Sequence, residues 1–196
     1  GRLLFNEILP QDLGFVDRTS PENFLKLEVD FLVKKKELKK ILQRIIDTHG
    51  TFATAEVLDP IKAMGYKYST IAAMTVSIAD ITVPALKKDL LEEAQNTVDK
   101  ISKNFRRGLI TEEERYRTVV ETWTDIDNEL TTVLLNSLDK YNNIFMMADS
   151  GARGSINQIR QLAGMRGLIA NTSGETIEIP IRANYREGLN VLEYFI

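Results

Sequence analysis

Two apolar seams in the middle of the chain, separated by a short turn, constrain its fold more than any other feature. The first seam has apolar side chains at helical spacing: Leu91, Ala94, Val98, Ile101 and Phe105. The second follows the same rule: Tyr116, Val119, Trp123, Ile126, Leu130 and Val133. Seams of this kind joined by a short turn are typical of two antiparallel helices that pair as a coiled coil. We therefore predict a helical hairpin over residues 84–138.

Turn and capping signals define both arms of this hairpin. Pro84 is placed at the start of the first helix, and Gly108 at its end. Thr111 with Glu114 three residues later forms a capping box that begins the second helix. Each arm of about 24 residues would be about 35 Å long, at about 1.5 Å per residue. Because the seams are narrow and their flanks are charged, we expect the hairpin to project and to bury little beyond itself. Two arms of an ordinary helix bundle are the alternative.

The first part of the chain carries a second amphipathic pattern. Its apolar positions recur at helical spacing: Leu38, Ile41, Leu42, Ile45 and Ile46. Its opposite face is rich in lysine: Lys34, Lys35, Lys36, Lys39 and Lys40. Such a face either contacts phosphate groups or is simply solvated, and the sequence leaves both readings open.

Local signals divide the rest of this first part. Ser20 with the following proline predicts a helix start. Gly50 should end the amphipathic helix, and Thr51 should cap another that runs towards Gly65. Residues 66–83 are small and β-branched, and we predict turns or a short strand there.

Composition excludes several classes of protein. The chain is 43% hydrophobic, which is enough to bury a core, and its net charge of −3 is unlike that of a nucleic-acid binder acting alone. Contact with nucleotides would therefore depend on a few placed arginines. The absence of cysteine excludes disulfides and thiolate metal sites and fits a cytoplasmic location. The one histidine, His49, is expected at a helix end rather than as a ligand, and we expect neither a membrane span nor a signal peptide.

A glycine-rich turn over residues 149–154 is the main candidate for a small-molecule site. Ser155 is predicted to cap a short helix that runs to Ala163 and ends at Gly164. Backbone amides at such a turn suit phosphate, and Arg153 adds a positive charge there. A plain turn is the alternative, with Arg153 bracing it against a carboxylate such as Asp149. The turn lacks the lysine of a Walker loop.

The string around this turn resembles one family closely. Residues 146–168 read MMADSGARGSINQIRQLAGMRGL, and residues 178–196 read EIPIRANYREGLNVLEYFI. Both are similar to the β′ subunits of bacterial DNA-directed RNA polymerase. Two looser similarities extend this backwards, in GLITEEERY at residues 108–116 and GRLLFN at residues 1–6. The resemblance therefore covers the whole chain, tightly from residue 144.

The resemblance implies a division into three parts. Residues 1–83 would belong to the pore domain, and residues 84–138 would be the rim helices of the secondary channel, through which nucleotides enter. Residues 139–196 would contain the end of the funnel, the F-loop and the start of the bridge helix. Within them, 164–181 match the F-loop, and a helix would begin at Asn184 with Glu187 as a capping-type pair. The expected fold class is mainly α: a helical body with a long projecting coiled-coil hairpin and minor β or loop segments.

The resemblance also implies roles for particular residues. Arg153 would lie near the triphosphate of the incoming nucleotide. The hairpin tip would dock secondary-channel regulators, including the Gre-type transcript-cleavage factors. Its charged candidates for docking are Arg107, Glu112, Glu113, Glu114 and Arg115.

Cofactors and partners follow from the same resemblance. Magnesium and zinc would belong to the parent subunit, because the family's Asn-Ala-Asp-Phe-Asp-Gly-Asp metal loop does not occur in these 196 residues. The chain alone should then be inactive. Partners would be the β, α, ω and σ subunits, nucleoside triphosphates, DNA and RNA, but no membrane. The alternatives are a docking module without catalysis and an unrelated phosphate-binding enzyme, which would lack a metal cluster, a Walker lysine and an obvious base.

Overall fold

Helices dominate the structure, a computed structural model that describes all residues from Gly1 to Ile196. The α-helices are α1 (Arg2–Ile8), α2 (Lys35–Ile71), α3 (Lys87–Arg106), α4 (Glu112–Ser137), α5 (Asn143–Ser150), α6 (Ile156–Ala163) and α7 (Val191–Phe195). Two short 3-10 helices span Pro21–Asn23 and Ile78–Asp80. There is no sheet, and two isolated antiparallel bridges, Gly167 with Ile181 and Ala170 with Thr176, are the β pairing present. The predicted mainly α fold class is confirmed.

The chain divides into two compact units. The first comprises residues 1–75 with the short segment 149–152, and the second comprises residues 76–148 and 153–196. Each unit has its own apolar core, so each is described by itself.

The core of the first unit forms where α2 meets the loops that follow α1. Its buried apolar residues are Leu9, Leu13, Val29, Ile41 and Ile45. Asn6 joins these loops because its Nδ2 donates to the Val29 carbonyl at 2.8 Å and its Oδ1 accepts from the Val29 N–H at 2.9 Å. The buried Glu28 carboxylate accepts from the Phe15 N–H at 2.7 Å and pairs with Arg18 at 3.1 Å. Both of these buried polar side chains in the first unit therefore have hydrogen-bond partners, as a stable interior requires.

The long helix α2 confirms part of the sequence prediction and corrects the rest. Ile41 and Ile45 are fully buried, whereas Ile46 lies at the rim and is 38% exposed. Gly50 interrupts the helical geometry with φ 79° and ψ 177°, as predicted. The predicted end near Gly65 and the turn or strand at residues 66–71 are wrong, because α2 continues to Ile71. Gly65 keeps a helical backbone, although glycine inside a helix is less favourable than alanine by about 1 kcal/mol.

The predicted hairpin is present in the second unit as α3 and α4. Trp123, Leu130 and Val119 on α4 pack against Ala94 on α3 in one buried cluster. A second cluster lies nearer the end of α4: Leu134, Leu138, Ile159 and Ala163. Thr111 and Glu114 form the predicted capping box.

The hairpin buries more residues than we predicted from its narrow apolar seams. Met165, from the segment after α6, is fully buried in the cluster around Trp123. Arg182 also lies over the Trp123 ring, with 5.1 Å between the guanidinium carbon and the ring centroid. Helical spacing shows which residues face the seam, but it cannot show that a distant segment covers one flank.

The predicted helix start at Asn184 is wrong. Helix α7 begins at Val191, and Asn190 with Glu193 forms its capping box. Asn184 is buried instead, and its Nδ2 donates to the carbonyls of Ala163 and Gly164 at 3.0 and 3.1 Å. Its Oδ1 accepts from the Glu187 N–H at 2.8 Å, which forms a turn rather than a helix. Gly188 follows with φ 83°, a left-handed conformation that interrupts helical geometry before residue 190.

Candidate functional site

The best-formed candidate site lies at the start of α6. Gly154 has φ 85°, a conformation that glycine adopts readily. Ser155 then caps the helix, because its N–H donates to Gln158 Oε1 at 2.9 Å and its Oγ accepts from the Gln158 N–H at 3.4 Å. Gly164 is the C-terminal cap. The predicted bounds of this short helix are therefore confirmed.

Arg153 presents an uncompensated charge at this turn. Its backbone N–H donates to the Met147 carbonyl at 3.3 Å, which holds the main chain. Its side chain is exposed and takes part in no ion pair. A guanidinium in this state is available to a ligand anion, which it can bind through a planar fork of N–H donors.

A cavity of about 390 Å³ opens beside Arg153 within the second unit. Its walls are largely apolar, from Val76, Ile144, Met147, Ala148, Ile159 and Leu162. Polar groups of Ser155, Gln158, Gln161 and Tyr185 also face it. A mostly apolar hollow with a few polar groups and a cation at its edge is a common form of ligand site.

Asp149, the carboxylate suggested as a brace for the turn, has a different partner. In the first unit, its Oδ1 accepts from Lys34 Nζ at 2.8 Å. This ion pair also takes one lysine from the basic face of α2. Gly151, with φ 75°, lies in the same unit, and a Cβ there would come within 3.0 Å of Lys35 Cβ.

The hairpin tip brings the five predicted docking residues into one region, but it uses them differently. Arg107 and Glu113 are exposed and form no ion pair. Glu114 is engaged in the cap, since its Oε2 accepts from the Thr111 N–H at 3.0 Å. Arg115 donates to Glu112 through Nε at 3.0 Å and through Nη2 at 2.5 Å. Two of the five residues therefore retain a free charge.

These contacts shift the ionisation of the tip residues. Hydrogen bonds from the backbone and side chain of Thr111 lower the pKa of Glu114. The side-chain hydrogen bond from Arg115 lowers the pKa of Glu112. The hydrogen bonds to Glu112, and then the nearby carboxylate of Glu178, raise the pKa of Arg115 further above its ordinary value. All three groups are therefore charged at neutral pH.

Ion pairs fix the flank of the hairpin, and the sequence analysis did not anticipate them. Lys87 pairs with Glu187 at 2.5 Å, and Arg115 Nη1 lies 2.8 Å from Glu178 Oε2. The Tyr116 hydroxyl donates to the Thr176 carbonyl at 2.7 Å. No local pattern marks such partners, because they lie 60 to 100 residues apart in the chain.

A further ion pair is largely shielded from solvent. Arg160 Nη1 lies 2.5 Å from Asp127 Oδ2, whereas Asp127 Oδ1 and Arg160 Nε are buried without a hydrogen-bond partner. Burial raises the pKa of Asp127, and the nearby Arg160 charge opposes that shift. Gly167 makes room for the pair, because a Cβ there would lie 3.3 Å from Asp127 Oδ2. This pair links α4 to α6.

The structure has no cluster of metal-ligating side chains and no helix that could span a membrane. No group of three or more histidine, cysteine, aspartate or glutamate side chains could hold a metal ion. His49 instead contacts Asp12 Oδ1 at 2.8 Å. No helix is long and apolar enough to cross a bilayer.

Comparison with known proteins identifies the family. The family model "RNA polymerase Rpb1, domain 3" matches residues 1–81, and "RNA polymerase Rpb1, domain 4" matches residues 110–186. The DNA-directed RNA polymerase subunit beta' of Lachnoclostridium phytofermentans is 68% identical over all 196 residues. The subunits of the same name from Clostridium kluyveri and Acetivibrio thermocellus are 59% and 56% identical over the same length. The chain belongs to the RNA polymerase β′ family.

The alignment with β′ subunits covers the whole of this chain but only a small part of each relative. The chain spans 16% of the Lachnoclostridium subunit and 17% of the other two. Arg153 and four of the tip residues lie within the domain 4 match, and Arg107 lies just before it. The family resemblance predicted from the sequence is confirmed.

Proposed function

We propose that this chain is the part of a DNA-directed RNA polymerase β′ subunit that lines the secondary channel and contributes to the nucleotide pocket. The observation that carries the proposal is 56–68% identity, across the full chain, to subunits of that name. The parent enzyme would be a nucleotidyltransferase that joins a nucleoside triphosphate to the RNA 3′ hydroxyl. The three parts would be a pore-domain portion at 1–83, the rim hairpin at 84–138, and the funnel, F-loop and bridge-helix start at 139–196.

Arg153 is the residue proposed to contact the nucleotide. Its exposed guanidinium has no carboxylate partner, and the capped start of α6 lies two residues away. Unpaired N–H groups at the start of a helix favour anions, and arginine binds phosphate oxygens in a bidentate manner. Both features suit the triphosphate of an incoming nucleotide. Arg153 would align the substrate and stabilise charge on its phosphates.

The remaining partners are assigned by the same proposal. The β, α, ω and σ subunits would assemble with the parent subunit, and DNA and RNA would contact the assembled enzyme in the bacterial cytoplasm. Magnesium and zinc would be held by other parts of the subunit, because the metal-binding aspartate loop of the family does not occur in these 196 residues. The isolated chain is therefore expected to show no RNA synthesis.

Replacement of Arg153 in the assembled polymerase tests the proposal. Arg153→Ala should lower the efficiency of single-nucleotide addition about ten- to a hundredfold, because a charge-assisted hydrogen bond of about 1.5–3 kcal/mol is lost. Arg153→Lys should restore only part of this loss, since lysine cannot form the planar fork. The measurement is the rate of addition across a titration of nucleoside triphosphate.

A matched control separates binding from stability. Arg106→Ala removes an exposed arginine on α3 that forms no ion pair, and nucleotide addition should stay unchanged. The thermal stability of the assembled enzyme should be the same for both variants. If Arg153→Ala lowers stability and leaves nucleotide affinity intact, Arg153 is a structural residue and the proposal fails.

A second function, docking of regulators, is supported by the free charges at the hairpin tip. Glu113 and Arg107 are exposed without ion pairs, so a partner can engage them without disrupting the fold. Charged residues at the rim of an interface raise the association rate and select partners. We propose that Gre-type cleavage factors bind here. If the isolated chain retains only this activity, it is the docking module considered as the alternative.

Glu113→Lys in the assembled polymerase tests the docking role. It should weaken the binding of a Gre-type factor and slow factor-dependent RNA cleavage, while factor-free elongation stays near normal. Glu129→Lys, which reverses an exposed and unpaired glutamate lower on α4, is the matched control. Glu114 is unsuitable for this test because its loss also removes the cap of α4. Equal loss of elongation and cleavage in Glu113→Lys would show that the tip is structural.

A further inference from the structure

One arginine on α4 is shared between two carboxylates on different segments. Arg115 donates two hydrogen bonds to Glu112 at the tip, at 3.0 and 2.5 Å. Its third nitrogen, Nη1, lies 2.8 Å from Oε2 of Glu178. That oxygen is buried and has no aligned hydrogen bond, so the contact is an ion pair without hydrogen-bond geometry. The guanidinium itself is mostly shielded, with 16% of its side chain exposed.

Glu178 follows a small turn that α4 holds in place. The turn is closed by the Ile177 N–H donating to the Ile169 carbonyl and the Asn171 N–H donating to the Glu175 carbonyl, both at 2.8 Å. The Tyr116 hydroxyl donates to the Thr176 carbonyl within the same turn. Arg115 and Tyr116 are adjacent residues on α4, so consecutive side chains hold both the turn and the residue after it. We refer to residues 169–178 as the tethered loop.

The two carboxylates compete unequally for Arg115. Glu112 accepts both aligned hydrogen bonds, although 61% of its side chain is exposed to solvent. Glu178 is 35% exposed and lacks an aligned bond. A second carboxylate beside an arginine reduces the attraction that the first one experiences, because the positive charge is partly neutralised. Removal of the Glu112 charge should therefore strengthen the contact between Arg115 and Glu178 and let the guanidinium realign towards it.

We propose that Arg115 is a positioning residue that couples the charge state of Glu112 at the hairpin tip to the order of the tethered loop. Neutralisation of Glu112 tightens the loop, and loss of Arg115 or Glu178 loosens it. The coupling goes beyond the proposed docking function, because it needs no regulator. Its consequence for a regulator rests on that function: a partner cation that engages Glu112 would tighten the loop. The loop in turn would affect the affinity of the tip by the same factor.

Hydrogen exchange of the tethered loop in the assembled polymerase, without any regulator, tests the coupling. Arg115→Gln and Glu178→Gln should each speed exchange of amides such as Ile177 by about two- to fivefold, the range expected when a partly exposed ion pair is lost. Glu112→Gln should slow the same amides by about two- to threefold. The opposite sign is the decisive readout, because a merely structural cluster would loosen in all three variants.

Controls keep this test separate from the docking proposal. Arg117→Gln removes a neighbouring exposed arginine, 3.9 Å from Glu121, and should leave the loop unchanged. Amides around Trp123 report whether the hairpin itself stays folded in each variant. Unchanged or faster exchange of the loop in Glu112→Gln overturns the coupling. Since no regulator is present, that outcome says nothing about whether Glu113 binds one, and failure of docking leaves the exchange result intact.

Discussion

The hairpin tip and the turn at Arg153 have the same local design and different chemical outcomes. Each has a glycine with positive φ, Gly108 at 71° and Gly154 at 85°, shortly before a helix that opens with a capping box. At the tip, Thr111 is paired with the carboxylate of Glu114, whereas Ser155 is paired with the amide of Gln158. The main difference lies in the neighbouring arginine.

The two arginines show how partners, rather than residue type, determine whether a charge is available. Arg115 is surrounded by Glu112, Glu178 and the Phe105 ring, which lies 5.6 Å from its guanidinium carbon. Arg153 is exposed and has no ion pair. An arginine whose donors are occupied stabilises the protein, and one whose donors are free can bind a ligand. This criterion supports the two proposals, in which Arg153 binds a ligand and Arg115 positions a loop.

The largest expected effect tests whether the two caps are equivalent. Thr111→Ala and Ser155→Ala should each cost about 1 kcal/mol, because each removes the side chain that accepts from the first turn of a helix. Thr132→Ala and Asn157→Ala, which alter exposed side chains inside the same two helices, should cost less than about 0.5 kcal/mol. Urea denaturation followed by the fluorescence of Trp123, the single tryptophan, measures all four. If Ser155→Ala costs no stability, the two turns are not equivalent and the comparison fails.

A smaller effect should distinguish the two arginines by how much each contributes to the free energy of unfolding. Arg115→Gln should cost about 0.5–1 kcal/mol, since it removes contacts with two partly exposed carboxylates. Arg153→Gln should leave the free energy of unfolding unchanged, because its side chain has no partner to lose. The same denaturation experiment applies, with Arg117→Gln as a control for the loss of an exposed charge. Equal losses for Arg115→Gln and Arg153→Gln would contradict the distinction.

The smallest effect concerns pH and the chemistry of the caps. Folding lowers the pKa of the Glu114 carboxyl. The Glu114 carboxylate therefore contributes fully to stability above its unfolded pKa, and this contribution is lost as the pH falls through its folded pKa. Wild-type chain should therefore exceed Glu114→Gln in stability at neutral pH, and the difference should vanish in acid. The cap at Ser155 uses the neutral Gln158 and should show no such dependence. Urea midpoints between about pH 3 and 7 measure this, and a difference that persists in acid rules out the ionised cap.

Local features of the fold were predictable from the sequence, and longer-range ones were not. The hairpin, the cap at Thr111 and the short helix after Ser155 depend on residues three or four apart, so they can be recognised without tertiary structure. The same rule failed at Asn184, whose spacing to Glu187 resembles that of a cap. That asparagine instead bonds to the end of α6, some 20 residues earlier in the chain.

Sequence alone determined the mainly helical fold, the β′ family and the list of charged residues that deserve attention. It did so because helical periodicity, capping and a long matching string are properties of neighbouring residues. Only the tertiary structure decided which charges are free, through contacts such as Arg115 with Glu178 and Arg160 with Asp127. Side chains on separate segments come within about 3 Å only after the chain has packed, and no spacing rule along the sequence encodes that distance.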